Sequence, residues 1–188
     1  MSLSSLGNLP EPDWQAAGAE DGLRTALRGA QDARARSAAY SRLAEALRTT
    51  RQWEAAAWGY FAAHRERPDA AEYVNLGIVL HESGRHDIAS EALHLALRFR
   101  DHPMSDTTAA YRNIALLPGA NALEMLGHAA ALSPASVEVQ HALGNELRRR
   151  GAADDALRAF SRAASLRPHG AAELLTVGEV RVLMHICK

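Results

Sequence analysis

The chain has 188 residues, with 21 basic side chains against 22 acidic ones and a formal net charge of −1. That balance gives no electrostatic case for binding nucleic acid or an anionic membrane surface, and no run approaches the about 18 apolar residues of a membrane-spanning helix. The single cysteine, Cys187, excludes an internal disulfide and makes a reducing, cytoplasmic compartment the expectation. Lys188 is the only lysine, and the arginine and alanine bias reads as that of a GC-rich bacterial genome.

In chain order, residues 1–11 are rich in Ser, Gly, Asn and Pro and are expected to be a disordered N-terminus without the basic and apolar blocks of a signal peptide. Residues 12–36 read as a helical segment that caps the apolar face of the first repeat, with Leu23, Ala26 and Leu27 facing inward. From residue 37 a pattern recurs with a period of about 34 residues. Its first copy, 37–69, carries Leu43, Ala44, Ala56, Tyr60, Ala63 and Pro68; its second, 70–103, carries Tyr73, Leu76, Gly77, Ala89, Leu93 and Ala96. A further copy, 137–170, carries Leu143, Gly144, Ala156, Phe160, Ala163 and Pro168.

Each copy reads as two helices. Small residues set the distance where the helices cross and large ones fill the space beside them. Pro68 and Pro168 stop second helices, while Gly84 and Gly151 occupy the turn between helices, where a left-handed residue is wanted. Trp53 reads as a core residue and Trp58 as more exposed than Tyr60. Residues 104–136 break the register. Tyr111, Ile114 and Ala115 fit one frame and Ala122, Leu126, Ala129 and Pro134 another, as if about five residues were missing from the period at a short Leu117-Pro118-Gly119 turn. Ser105 or Asp106 would cap the helix before it. Residues 171–188 start an incomplete copy, in which Leu174 and Val177 fall in register and Val180, Leu183, Met184 and Ile186 lack a second helix to cover them.

This spacing of Leu-Gly or Leu-Ala, Ala, aromatic, Ala and Pro resembles the tetratricopeptide repeat (TPR). The resemblance implies an all-α fold, a right-handed α-solenoid of antiparallel helix pairs, whose function is a protein–protein interaction scaffold holding a peptide in its concave groove. The first helices would line that groove with Arg48, Val74, Asn75, Ile78, His81, Arg112, Asn113, Leu116, His141, Asn145 and Arg148. The asparagine pair Asn75 and Asn113 resembles the peptide-holding ladder of O-linked N-acetylglucosamine transferase. The lysines that grip chaperone tails in other TPR proteins are absent.

No enzyme is indicated. The nine histidines are scattered, and there is no cysteine cluster, glycine-rich phosphate loop or nucleophile elbow, so no catalytic residue, metal or cofactor is expected. The expected partner is a protein or peptide, with a homo-oligomer through Val180, Leu183, Met184 and Ile186 as a further expectation. Two alternatives stay open: the repeat region of a larger glycosyltransferase- or sulfotransferase-type enzyme, and a self-assembling structural repeat protein.

Overall fold

The computed structural model describes residues 20–99 and 103–166, and among them there is no strand. Residues 1–11, Pro168 and the incomplete copy from residue 171 lie outside that range. The chain divides into two compact units, residues 1–106 and 107–188. The first holds α1 (Glu20–Arg28), α2 (Ala33–Thr49), α3 (Trp53–Glu66), α4 (Ala70–Glu82) and α5 (His86–Ala96). Helix α6 (Met104–Ile114) carries the boundary, and α7 (Ala122–Leu132), α8 (Val137–Arg149) and α9 (Ala153–Leu166) complete the second. No helix among the described residues is long and apolar enough to cross a membrane.

In the first unit, Asp32 caps α2 by accepting the Ala35 N–H at 2.7 Å, so residues 33–36, expected in the capping segment, belong to the first repeat helix. Asp69 caps α4 in the same way through Ala71. Three pairs of helices, α2 with α3, α4 with α5 and α8 with α9, are joined by residues 50–52, 83–85 and 150–152 through one shared turn. In it the N–H of Gln52, Arg85 or Ala152 donates to the carbonyl of Leu47, Leu80 or Leu147 at 2.8–3.0 Å. The residue before each donor is left-handed: Gly84 and Gly151 at φ 79° and, where no glycine marks the position, Arg51 at φ 60°. Arginine there costs about 1 kcal/mol of backbone strain.

Alanine and glycine sit at the crossings. Ala44, Ala56, Ala63, Ala89, Ala156 and Ala163 have no exposed surface. A Cβ added at Gly77 would stand 2.5 Å from Leu93 Cγ, and one at Gly144 would stand 2.6–2.8 Å from three atoms of the Phe160 ring. Phe160, Leu76 and Leu93 fill the gaps those small residues leave and are themselves fully buried. At the joint between α3 and α4, His64 stacks on Tyr73 at 4.0 Å, and Phe99 packs against both rings at 5.9 Å. His64 Nδ1 accepts the Asp69 N–H at 3.3 Å, and burial lowers the imidazole pKa, holding the ring neutral in this joint. Trp53, expected in the core, is only half-buried. Trp58 is more exposed than Tyr60, as the spacing predicts, and meets Tyr40 edge-on at 5.9 Å.

The second unit departs from the shared turn. Helix α6 begins at Met104, which places Ser105 and Asp106 inside its first turn rather than before it, and it ends at Ile114. Residues 115–121 then link it to α7, with Gly119 at φ 78°. The missing length therefore comes from the end of the first helix and not from the turn, because Pro118 disfavours helical backbone at Leu117. Helices α6 and α7 are tied by the Thr108–Ser133 hydroxyl pair at 2.8 Å and by Tyr111 against His128. Ser136 caps α8 through Val139, and Gln140, fully buried, donates to the Pro134 carbonyl at 3.1 Å.

This packing predicts opposite effects at two glycines. Gly144→Leu should lower stability by about 1–3 kcal/mol by overpacking against Phe160, whereas Gly127→Ala, on an open face of α7 with no neighbour within 4 Å, should raise it by about 0.5–1 kcal/mol; urea denaturation of both variants checks the contrast. In the first unit, Ser41 Oγ donates to Glu72 at 2.6 Å, yet the other Glu72 oxygen is buried without a partner and burial raises the carboxyl pKa. A raised pKa means that the fold favours the protonated form, so stability falls as pH rises from about 4.3 through the folded-state value. Glu72→Gln should be more stable than the parent at pH 7, and thermal melts should show the difference vanishing below the unfolded-state pKa.

Candidate functional site

Because α6 ends at Ile114, the start of α7 is left uncovered, and a cleft of about 330 Å³ opens over it in the second unit. Ala115, Leu116, Ala122, Leu126 and Ala142 form an apolar floor, with Arg112, Glu138, His141, Asn145, Glu146 and Arg149 around it. Leu116 is 60% exposed, an unusual state for a leucine beside other apolar side chains, and it marks the cleft as open to solvent.

Along α8, His141, Asn145 and Arg148 form a stripe one helical turn apart. The Asn145 amide lies 3.2 Å from His141 Nδ1, and Arg148 donates to Asn145 Oδ1 at 3.1 Å. His141 also meets the buried Phe160 ring edge-on, which anchors the stripe to the hairpin core. Glu146 lies at the back of the cleft with only 9% of its side chain exposed. Arg149 donates to both of its oxygens at 2.8 and 2.9 Å and Arg150 to one at 2.6 Å, and these bonds pull the carboxyl pKa down to about 2. The basic run Arg148-Arg149-Arg150 is thus engaged internally: two arginines neutralise Glu146 and the third orients Asn145.

Of the residues expected in a groove, the cleft gathers Arg112, Leu116, His141 and Asn145. Arg148 stands next to them through Asn145. Asn113 does not join: its amide donates to the Ala109 carbonyl of its own helix at 2.8 Å. In the first unit, Val74 is 5% exposed and belongs to the core, which corrects its assignment to the groove. Helix α4 is packed between α3 and α5, so it is apolar around most of its circumference and its sequence alone does not mark which apolar side chains face out; Val74 and Val79 are both buried. Asn75 and Ile78 are half-buried. His81 pairs with His86 across the turn, Nδ1 to Nδ1 at 3.2 Å, and Arg48 forms a two-bond ion pair with Glu45, which also accepts the Tyr60 hydroxyl at 2.7 Å. Val180, Leu183, Met184 and Ile186 lie outside the described residues.

Sequence reasoning missed Glu138, Glu146, Arg149 and the α7 residues Ala122 and Leu126. The break in register between Ala115 and Ala122 was the available signal, since a shortened first helix must uncover the second. A smaller cleft of about 260 Å³ in the first unit lies between Tyr40, Trp58, Phe61, Arg65 and Glu66, whose carboxylate pairs with Arg36 at 2.8 Å.

No family model and no curated protein matches the chain in sequence. Solved structures do match. MamA superposes with a TM-score of 0.61 at 18% identity, over 77% of this chain and 80% of that one. MamA from Desulfovibrio magneticus RS-1 gives 0.60 at 19% identity, over 79% and 85%. YrrB, described as a TPR protein with an unusual peptide-binding site, gives 0.55 at 20% identity, over 78% and 77%. Likeness at these identities establishes the fold: the described residues form an all-α, TPR-like helical-repeat fold.

The electrostatics of the cleft predict an acid sensitivity. A carboxyl whose folded pKa is depressed contributes stability that is fully present above its unfolded value and is lost as pH falls toward the folded one. Glu146 should therefore destabilise the second unit between about pH 4.3 and pH 2 as it protonates, and Glu146→Gln should flatten that part of the curve. Melting curves collected through this range check it, and an unchanged pH dependence in the variant would contradict the pairing with Arg149 and Arg150.

Proposed function

We propose that this protein is a non-catalytic interaction scaffold that holds an extended peptide segment of a partner protein in the cleft of its second unit. The observation that carries the reading is Leu116, a large apolar side chain exposed over an apolar floor and ringed by hydrogen-bonding groups. Peptide sites of this kind take energy from one or two apolar anchors and fix register with the polar rim. The TPR-type fold, and a similar structure described as having a peptide-binding site, support a peptide over a small molecule. So does the shape of the cleft, which is an open trough rather than an enclosed cavity.

Selection of a random 12-residue peptide library on the full chain, followed by anisotropy titration of the selected peptides, tests the reading. Leu116→Asp should weaken those peptides at least tenfold, about 1.4 kcal/mol, with its helical circular dichroism and melting temperature unchanged because Leu116 is exposed. Peptides that bind Leu116→Asp as tightly as the parent would remove the cleft as their site.

A further inference from the structure

The charges around the cleft are not equivalent. Glu146 is neutralised by Arg149 and Arg150, Arg148 is held by Asn145, and Glu138 accepts the Ser136 hydroxyl at 3.0 Å. Arg112 is different: it lines the cleft, half-exposed, and makes no ion pair and no side-chain hydrogen bond among the described residues. An arginine at the edge of an apolar floor offers a planar fork of donors that matches a carboxylate.

Its distance from the apolar anchor sets a register. The chain leaves α6 through hydrogen-bonded turns, with Ala115 N–H donating to the Tyr111 carbonyl at 3.1 Å and Leu116 N–H to the Asn113 carbonyl at 3.1 Å. Arg112 and Leu116 both line the cleft about one turn apart, roughly 6 Å between side-chain roots. In an extended peptide, side chains two residues apart point to the same face and are separated by about 6.6 Å. A carboxylate on Arg112 and an apolar side chain on Leu116 and Leu126 thus fit residues at i and i+2 of one strand. The α-carboxylate of a C-terminal apolar residue stands closer than this to its own side chain, so an internal acidic residue meets the spacing where a chain end bearing the anchor does not.

We infer that the cleft of the second unit selects an internal acidic-x-apolar motif, Asp or Glu at i and Leu, Ile or Met at i+2, through Arg112 and Leu116. This rests on the scaffold function proposed for the same cleft and specifies its ligand. Acidic residues of the partner also complement Arg112, which makes no ion pair among the described residues, and the positive charge left over where Arg149 and Arg150 share the single Glu146 carboxylate.

The test uses the full chain and N-acetylated, C-amidated nonapeptides centred on Glu-Ala-Leu, Lys-Ala-Leu, Glu-Leu-Ala or Ala-Ala-Leu, with one uncapped peptide ending in Ala-Ala-Leu. Anisotropy titrations should rank Glu-Ala-Leu first, at least tenfold tighter than Lys-Ala-Leu and severalfold tighter than Glu-Leu-Ala. Arg112→Glu should invert the order of the Glu and Lys peptides, and Arg112→Gln should erase the difference while keeping the helical spectrum. Equal binding of Glu-Ala-Leu and Lys-Ala-Leu that still weakens in Leu116→Asp would overturn the motif and leave the scaffold reading standing. Tightest binding by the uncapped peptide would overturn the internal carboxylate in favour of a chain end. If no peptide binds at any concentration, both the motif and the scaffold reading fall.

Discussion

Everything in this molecule depends on how closely two helices of a hairpin can approach. At Gly77 and Gly144 the facing side chain, Leu93 or Phe160, occupies the volume that a Cβ would need. In the α2–α3 pair the roles are shared differently, with Gly59 against Ala44. This complementarity fixes the rotation of each helix about its own axis. Fixing that rotation decides which residues become core and which remain on the surface, so a contact between uncharged, unreactive side chains determines where His141 and Asn145 stand. The turns reinforce it: the same backbone hydrogen bond and the same left-handed residue close three of the hairpins, even where arginine has to adopt the conformation.

Function is proposed at the place where this rule lapses. Helices α6 and α7 have no shared turn and no glycine wedged under an aromatic ring. They are tied by a hydroxyl pair and one ring contact. A full-length first helix would cover the start of α7; a short one leaves Ala122 partly exposed beside Leu116, with the buried Leu126 forming the floor beneath them. The apolar surface left in solvent, roughly 25 cal/mol per Å² if buried, is a cost to the free protein and a gain to any complex that covers it. Glu146 shows the opposite treatment of charge: it is enclosed and doubly paired, so that no free carboxylate faces the cleft.

The repeat register was legible from sequence because it is written in residue size: glycine or alanine opposite leucine or an aromatic, glycine in the turns at Gly84 and Gly151, proline after the second helix. Arg51 was not legible as a left-handed residue, since no glycine marks it and only the hairpin geometry imposes it. The end of α6 was misplaced because Ala115, Leu116 and Leu117 are good helix formers, and Pro118 acts on the residue before it. Val74 looked like groove because a helix covered on several sides loses the polar face that would have oriented it. Within the site, the α8 stripe was expected from the positions that the repeat resemblance turns toward the groove. Glu146 could not, because its burial depends on two arginines that its own position does not announce.

The central claim, that a shortened first helix makes the ligand site in the second unit, is tested most directly by nuclear magnetic resonance. Backbone amide shifts of the full chain would be followed while a library-selected peptide is titrated in. The account predicts the largest changes over residues 112–126 and 138–149, with the Tyr40, Trp58 and Phe61 cleft of the first unit unmoved. Changes centred on Tyr40, Trp58 and Phe61, with Leu116 and Asn145 silent, would contradict it.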